Sequence, residues 1–276
     1  MTHDVAGPSV ASAGSLPLDQ IICGDNCEVM RQMPSESIDL VVTSPPYDDL
    51  RTYGGHSWDF YGVAWNLKRL LKPGGVIVWV VADATKDGSE TGTSMRQALH
   101  FQSVGLNVET MVWNKGACGG AVGSNHWYYQ SWEYMICAAK GRPKSVNRIR
   151  DRKNACGGKR ASGTKRLRDG RLVKEGKGFE VAEFGLRRNV WEFPVGSFVG
   201  YENTHPAPFP EALARDHILS WSNPGDVVLD PFSGSGTTAK MARETGRRFI
   251  GIEVNPEYVE ISRKRLAQQA LPMDVA

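Results

Sequence analysis

Apolar residues fall in short unbroken runs, each closed by a cluster of turn formers. Residues 18–23 end on Gly24-Asp25, Ile38–Thr43 ends on Ser44-Pro45-Pro46, and residues 76–82 form a third run, β-branched and aromatic. Runs that stay apolar without alternation predict strands covered on both faces, the pattern of a parallel sheet between helices. Between them the period changes. Residues 58–71 place apolar side chains near helical spacing and stop at Lys72-Pro73-Gly74-Gly75, and residues 95–104 predict a second helix ended by Gly105. Residues 106–113 and 132–138 predict two strands joined across a glycine-rich loop, 116–124, and fit an antiparallel edge of the sheet. Further on, 210–220 predicts a helix, 226–229 a strand, 238–244 a helix stopped at Gly246, 248–252 a strand running into Glu253, and 256–268 a last helix. Strands alternating with helices in this way predict a doubly wound α/β sheet.

Composition narrows the class without changing that outline. A chain of 276 residues, 41% apolar and 23% charged, suits one large domain with a smaller insertion, and no apolar run reaches the roughly 18 to 20 residues of a membrane span. Residues 1–17 are rich in Ala, Ser, Gly and Pro and predict a disordered tail rather than a signal peptide, which points to the cytoplasm. Five scattered cysteines (Cys23, Cys27, Cys118, Cys137, Cys156) argue against a disulfide framework. Cys23 and Cys27 have ligand-like spacing but no second pair, so they predict buried thiols and no metal site. The net charge of +3 hides a strong asymmetry. Residues 140–188 carry 17 Lys/Arg and 5 Asp/Glu, a balance of +12, which leaves −9 for the rest of the chain. Gly157-Gly158, Gly163, Gly170, Gly176 and Gly178 interrupt that segment, so it predicts a loop-rich insertion.

Two segments carry candidate chemistry. Asp230-Pro231-Phe232-Ser233-Gly234-Ser235-Gly236-Thr237-Thr238 joins a strand to a helix through small residues, and Glu253 stands at the next strand end, 17 residues after Gly236. Backbone N–H groups at such a helix start can face a polar ligand, and a strand-end carboxylate can accept from both hydroxyls of a ribose. Gly234-x-Gly236-x-x-Ala239 also fits a dinucleotide fingerprint, but Asp230 would repel a pyrophosphate. S-adenosylmethionine, an adenosine cofactor without phosphate and with a cationic sulfonium, suits an acidic loop better. A nucleotide-triphosphate loop would need Gly-Lys-Ser/Thr, which is missing.

The second segment is Ser44-Pro45-Pro46-Tyr47. An exocyclic amino nitrogen is a poor nucleophile, because its lone pair is delocalised, so a site acting on it must accept its hydrogens. Ser44 Oγ and the Pro45 carbonyl offer two acceptors, the prolines hold that carbonyl, and Tyr47 offers a face for an extruded base. Methylation at a cytosine ring carbon would need a Pro-Cys nucleophile, and no cysteine here follows a proline.

With both segments in hand, the chain resembles the beta class of DNA amino-methyltransferases, in which the catalytic motif precedes the cofactor motif. Ser44 to Tyr47 matches the family's [Asp/Asn/Ser]-Pro-Pro-[Tyr/Phe], and Asp230 to Thr238 matches its Asp-Pro-Phe-x-Gly-x-Gly-Thr-Thr. Leu71-Lys72-Pro73-Gly74-Gly75, His205-Pro206-Ala207-Pro208-Phe209-Pro210 and Cys23-Gly24-Asp25 are similar to further family segments, over about residues 20–139 and 189–268. The resemblance implies a Rossmann-like methyltransferase sheet in permuted order, mostly parallel with an antiparallel edge, over 18–139 and 189–270. It implies a cofactor site of Asp230, Pro231, Phe232, Gly234, Gly236, Thr237 and Glu253, with Asp25 near the adenine and His205 and Phe209 near the methionine end. It also implies that the insertion 140–188 recognises double-stranded DNA, and the charge of that segment makes Arg148, Arg150, Arg152, Lys153, Lys159, Arg160, Lys165, Arg166 and Arg168 candidate contacts. Ser at position 44 is similar to cytosine-N4 members, whereas adenine-N6 members more often carry Asp, and the target base stays open between N6 and N4. Residues 126–134, rich in aromatic side chains, predict core or a contact between two copies of the chain in a homodimer. An RNA or protein-amide methyltransferase and an inactive DNA-binding module remain the alternatives.

Overall fold

The computed structural model describes residues 15–47, 58–116, 127–128, 130–194 and 210–268. The chain divides into two compact units, Met1–Asn147 with Val190–Ala276, and Arg148–Asn189. The first unit begins with β1 (Gln20–Cys23), α1 (Asn26–Gln32), β2 (Ile38–Thr43), α2 (Phe60–Leu70) and β3 (Leu71–Val81). A hairpin of β4 (Thr85–Lys86) and β5 (Ser89–Glu90) follows, then α3 (Thr93–Ser103), β6 (Asn107–Asn114) and β7 (Trp132–Ala139). The second unit holds β8 (Arg152–Lys153), β9 (Arg160–Arg166), β10 (Leu172–Glu180) and β11 (Phe184–Gly185). The first unit resumes with β12 (Val190–Glu192), α4 (Glu211–Trp221), β13 (Val227–Asp230), α5 (Thr237–Glu244), β14 (Arg248–Glu253) and α6 (Pro256–Ala267).

The eight-stranded sheet has the order β1-β14-β13-β2-β3-β7-β6-β12. Its pairings are parallel except those of β7 with β3 and with β6. The expected antiparallel pair therefore stands toward one edge, and the short strand β12 extends the sheet beyond it.

All six residues of β2 are buried, which is why that segment shows no alternation. Helix α2 buries Val63, Ala64, Leu67 and Leu70, one stripe at helical spacing. Trp79 of β3 is fully buried at the centre of a ring cluster with Trp58, Phe60, Phe101 and Phe232, all within 6.1 Å between centroids, and its indole N–H donates to Gln97 Oε1 at 2.8 Å. Burying one such side chain stabilises the fold by roughly 1.5–3 kcal/mol.

A second anchor lies where β2 begins. The buried Asp39 carboxylate accepts from Lys72 Nζ at 2.8 Å, from the Val227 N–H at 2.9 Å and from Lys144 Nζ, so it joins β3 and β13 to β2. Burial pushes its pKa up, but the hydrogen bonds from Lys144, Lys72 and Val227 outweigh that and hold the carboxyl below its ordinary value.

Local structure departs from the sequence expectations at several points. Helix α1 was not expected; it is seven residues long, and Asp25 caps it by accepting from the Glu28 N–H at 2.9 Å. Strand β3 starts at Leu71 rather than near residue 76, because Gly74 (φ +79°) donates its N–H to Lys140 O at 2.7 Å and carries the strand through the turn. A Cβ at Gly74 would stand 2.9 Å from Lys144 Cβ. Cys27 is buried as expected, but Cys23 is exposed, which corrects the reading of a buried thiol there. Trp127 and Tyr128 are 68% and 99% exposed, which corrects the core half of the expectation of core or a contact between copies, while Trp132 and Tyr134 pack edge to face at 4.7 Å. Among the described residues no helix is long and apolar enough to cross a membrane.

Candidate active site at the switch point of the sheet

From β13 the sheet continues to β14 and β1, and from β2 it continues the other way to β3. In doubly wound folds ligands bind at the carboxyl ends of the strands where the order reverses. The two motifs meet across that point. Thr43, the last residue of β2, donates its hydroxyl to Asp230 Oδ1 at 2.7 Å, and Asp230 is the last residue of β13. Thr238 Oγ1 reaches back to the Val42 carbonyl at 3.1 Å. Burial pushes the pKa of Asp230 up to about 6, against hydrogen bonds from Thr43 and the Phe232 N–H, and the Glu253 charge adds to the rise.

The loop after Asp230 is closed on itself. The Phe232 N–H donates to Asp230 Oδ1 at 3.1 Å, the Ser233 N–H to Ile252 O at 2.9 Å, the Gly234 N–H to Glu253 Oε2 at 2.8 Å and the Gly236 N–H to Ser233 O at 2.8 Å. These four N–H groups are therefore turned to the protein rather than toward a ligand. The glycines serve instead by size and conformation. Gly236 takes φ +78° to start α5, and a Cβ there would lie 3.1 Å from Ser262. Thr237 is buried, and its hydroxyl receives an Arg265 N–H at 3.1 Å.

Glu253 closes the other side, its Oε1 accepting from the Asn255 N–H at 2.9 Å. Cys23 pairs with Glu253 in register, and the Gly24 N–H donates to Glu253 O at 2.9 Å, which sets the turn carrying Asp25 beside this end of the sheet. Asn26 Nδ2 reaches the Pro231 carbonyl at 3.2 Å. Phe232, half-buried, meets Trp58 edge to face at 4.9 Å. Thus Asp25, Pro231, Phe232, Gly234, Gly236 and Glu253 are brought together at this rim. Thr237 lies just inside it, and His205 and Phe209 fall outside the described residues.

In the candidate catalytic turn Pro45 is buried, and Ser44, Pro46 and Tyr47 are half-buried. Ser44 Oγ lies 2.7 Å from the Tyr47 hydroxyl, which donates to Glu133 Oε2 at 2.8 Å. Glu133 is 5% exposed and pairs through its other oxygen with Lys115. Sequence reasoning placed Glu133 in an aromatic cluster and missed this link. The signal was available, since it is the one carboxylate in a strand otherwise made of apolar residues.

In the second unit, described by itself, Arg148, Arg150, Arg152, Lys153, Lys159, Arg160, Lys165, Arg166 and Arg168 are all exposed. Its loops enclose two antiparallel pairs, β9 with β10 and β8 with β11. Asp151 pairs with Arg187, and Asp169 with Arg171 at 2.8 Å, so two of its acidic residues are answered within the unit.

A mostly parallel sheet in this order, reversed only at β7 and carrying its motifs at one switch point, is a Rossmann-like methyltransferase fold. The model of the DNA methylase family of N6 and N4 methyltransferases matches residues 38–264, and the chain belongs to that family. It is 49% identical to the orphan methyltransferase M.BamHII of Bacillus amyloliquefaciens, over 83% of this chain and 89% of the relative. It is 30% identical to the DNA adenine methyltransferase YhdJ of Escherichia coli K12, over 89% and 82%. Among solved structures, a DNA modification methylase of Thermus thermophilus complexed with S-adenosyl-L-methionine superposes with a TM-score of 0.59 at 27% identity, covering 90% of this chain and 94% of its own.

Proposed function

We propose that the chain methylates the exocyclic amino group of adenine (N6) or cytosine (N4) at a defined sequence in double-stranded DNA, with S-adenosylmethionine as donor. The observation that carries this reading is the 2.7 Å bond from Thr43 to Asp230, which ties the residue before Ser44 to the first residue of the cofactor loop. Bound S-adenosylmethionine supplies a methyl group on a cationic sulfonium.

Ser44 Oγ and the Pro45 carbonyl would accept the two N–H hydrogens of the target amine; its nitrogen would take the methyl group as the methyl–sulfur bond breaks, leaving a neutral thioether and no covalent enzyme intermediate, and the surplus proton would pass to solvent. The Tyr47 ring supports the base once it has left the duplex stack. The donor set of the loop fits this cofactor. Its N–H groups at Phe232, Ser233, Gly234 and Gly236 are already donated within the protein, while Asp230 and Glu253 offer carboxylates to a cation and to ribose hydroxyls. Asp25 has its Oδ1 engaged in capping α1 and offers Oδ2 at the adenine end. Pro231, Phe232, Gly234 and Gly236 shape the wall, Thr237 holds it through Arg265, and His205 and Phe209 complete the methionine end. A hydroxyl at position 44 accepts equally from either base.

The unit Arg148–Asn189 is the target-recognition element in this reading, its exposed cations meeting phosphates. Helix α2 exposes Tyr61 and Trp65 one turn apart and α3 exposes Met95 and Leu99 likewise, which supports a homodimer; a location in the cytoplasm goes with a DNA substrate.

Transfer of labelled methyl groups to duplex DNA, with RNA and protein as competitors, tests the assignment. Wild-type chain should label DNA, and Ser44→Ala should reduce turnover at least about 100-fold while cofactor affinity stays within a few-fold, the size seen when one preorganised hydrogen-bonding group is lost. Label entering RNA or protein alone would overturn it.

A further inference from the structure

Strand β7 reads Trp-Glu-Tyr-Met-Ile-Cys-Ala-Ala, and Glu133 is its one ionisable carboxylate, 5% exposed in the interior. Burying a carboxylate is costly unless it is paired and hydrogen-bonded, and an apolar residue usually serves packing as well or better. Met135 and Cys137, two and four positions on along the same face, are buried apolar side chains of that kind. Packing therefore gives no reason for a charge at 133. Its partners do. Lys115 holds one oxygen, and the hydroxyl of Tyr47 donates to the other at 2.8 Å.

The direction of the bonds follows from counting hydrogens. Lys115 has only hydrogens to give, and a carboxylate has only lone pairs, so both contacts of Glu133 are acceptances. Tyr47 has a single hydroxyl hydrogen, and Glu133 takes it. The Tyr47 oxygen must then accept in its 2.7 Å contact with Ser44, which commits the one hydrogen of Ser44 as well. What Ser44 Oγ presents to the crevice is lone pairs alone.

We propose that Glu133 is a positioning residue for methyl transfer: it fixes the direction of the chain Lys115–Glu133–Tyr47–Ser44, so that Ser44 meets the target amino group as an acceptor. This rests on the reading above, in which Ser44 accepts from that group. A carboxylate at position 44 would need no such device, because it cannot donate. A hydroxyl can point either way, and turned outward it would set O–H against N–H and leave both unmet in a dry site. Glu133 removes the wrong orientation before the substrate arrives.

Glu133→Gln keeps the shape and reverses the logic. Lys115 would draw the amide oxygen, the amide N–H₂ would face Tyr47, Tyr47 would donate to Ser44, and Ser44 would donate outward. The expected result is a fall in kcat of about 10- to 100-fold, the rate equivalent of one unmade hydrogen bond, with Kd for S-adenosylmethionine and for DNA within about twofold. In a Tyr47→Phe background the chain is already cut, so Glu133→Gln should there change kcat by less than about twofold. A merely structural Glu133 would cost the same in both backgrounds, and that result, or wild-type kcat in Glu133→Gln, overturns the proposal. Tyr47→Phe alone should also lower kcat at unchanged cofactor affinity, and wild-type turnover in it overturns the proposal even if Glu133→Gln does not fold. Wild-type turnover in Ser44→Ala would instead bring down the underlying reading, so the two failures are distinguishable.

Discussion

At the scale of single residues, the Thr43–Asp230 bond makes one site of two motifs 187 positions apart. Asp230 should show itself through pH. Its pKa stands at about 6 in the free protein, and a bound cation favours the ionised form, so the complex holds fewer protons than the free chain. Affinity for S-adenosylmethionine should therefore weaken as pH falls below about 6 and level off above it, with proton uptake by the buffer in calorimetry below that pH. Asp230→Asn should bind weakly with no such slope, and an unchanged slope would assign it to another group. Glu253→Ala should weaken cofactor binding by about 1–3 kcal/mol, the loss of hydrogen bonds to a charged group, and should also free the Gly234 and Asn255 N–H groups it now engages. Wild-type affinity by calorimetry would make Glu253 a loop brace only.

At the scale of elements, what could be read from the chain was whatever burial writes into composition. β2 was legible to the residue because both its faces are covered, and β13, α5 and β14 were legible because glycines and strand-end carboxylates mark their junctions. α1 escaped because seven residues give too little period, although Asp25 followed by Glu28 is a capping signal. β12 escaped because three residues of mixed character carry no pattern. Glu133 was legible as a lone carboxylate in an apolar run, but its partners were not: they are 86 positions away at Tyr47 and 18 away at Lys115, and only the folded sheet brings them together. Asp39 is the same kind of case in a structural role. Its carboxyl is held below its ordinary value, so it contributes stability that is present above the unfolded-state pKa and is lost as pH falls through the native one. Asp39→Ala should cost about 1–3 kcal/mol in denaturant melts at neutral pH, because the Val227 N–H loses its acceptor in a buried place. Equal stability of variant and wild type would show the two lysines to be idle.

At the scale of the whole molecule, charge is divided as the chain is divided. Most of the basic excess lies in Arg148–Asn189, a unit of its own with 14 Lys/Arg against 5 Asp/Glu, while the first unit carries the acidic candidate rim of Asp230 and Glu253. If that unit grips phosphates, replacing Arg148, Arg150, Arg152 and Lys153 by Ala should weaken DNA binding and lower the log-log salt slope by roughly 0.9 per lost contact, with cofactor affinity unchanged. An unaltered slope would make these charges a solvated face. The claim that joins the scales is chemical: methyl groups go to an exocyclic nitrogen of DNA, positioned by Ser44 and Pro45. DNA incubated with the chain and S-adenosylmethionine, digested to nucleosides and resolved by mass spectrometry, tests it most directly. N6-methyladenine or N4-methylcytosine should appear and be lost with Ser44→Ala; 5-methylcytosine, or either amino product surviving undiminished in Ser44→Ala, would refute the assignment.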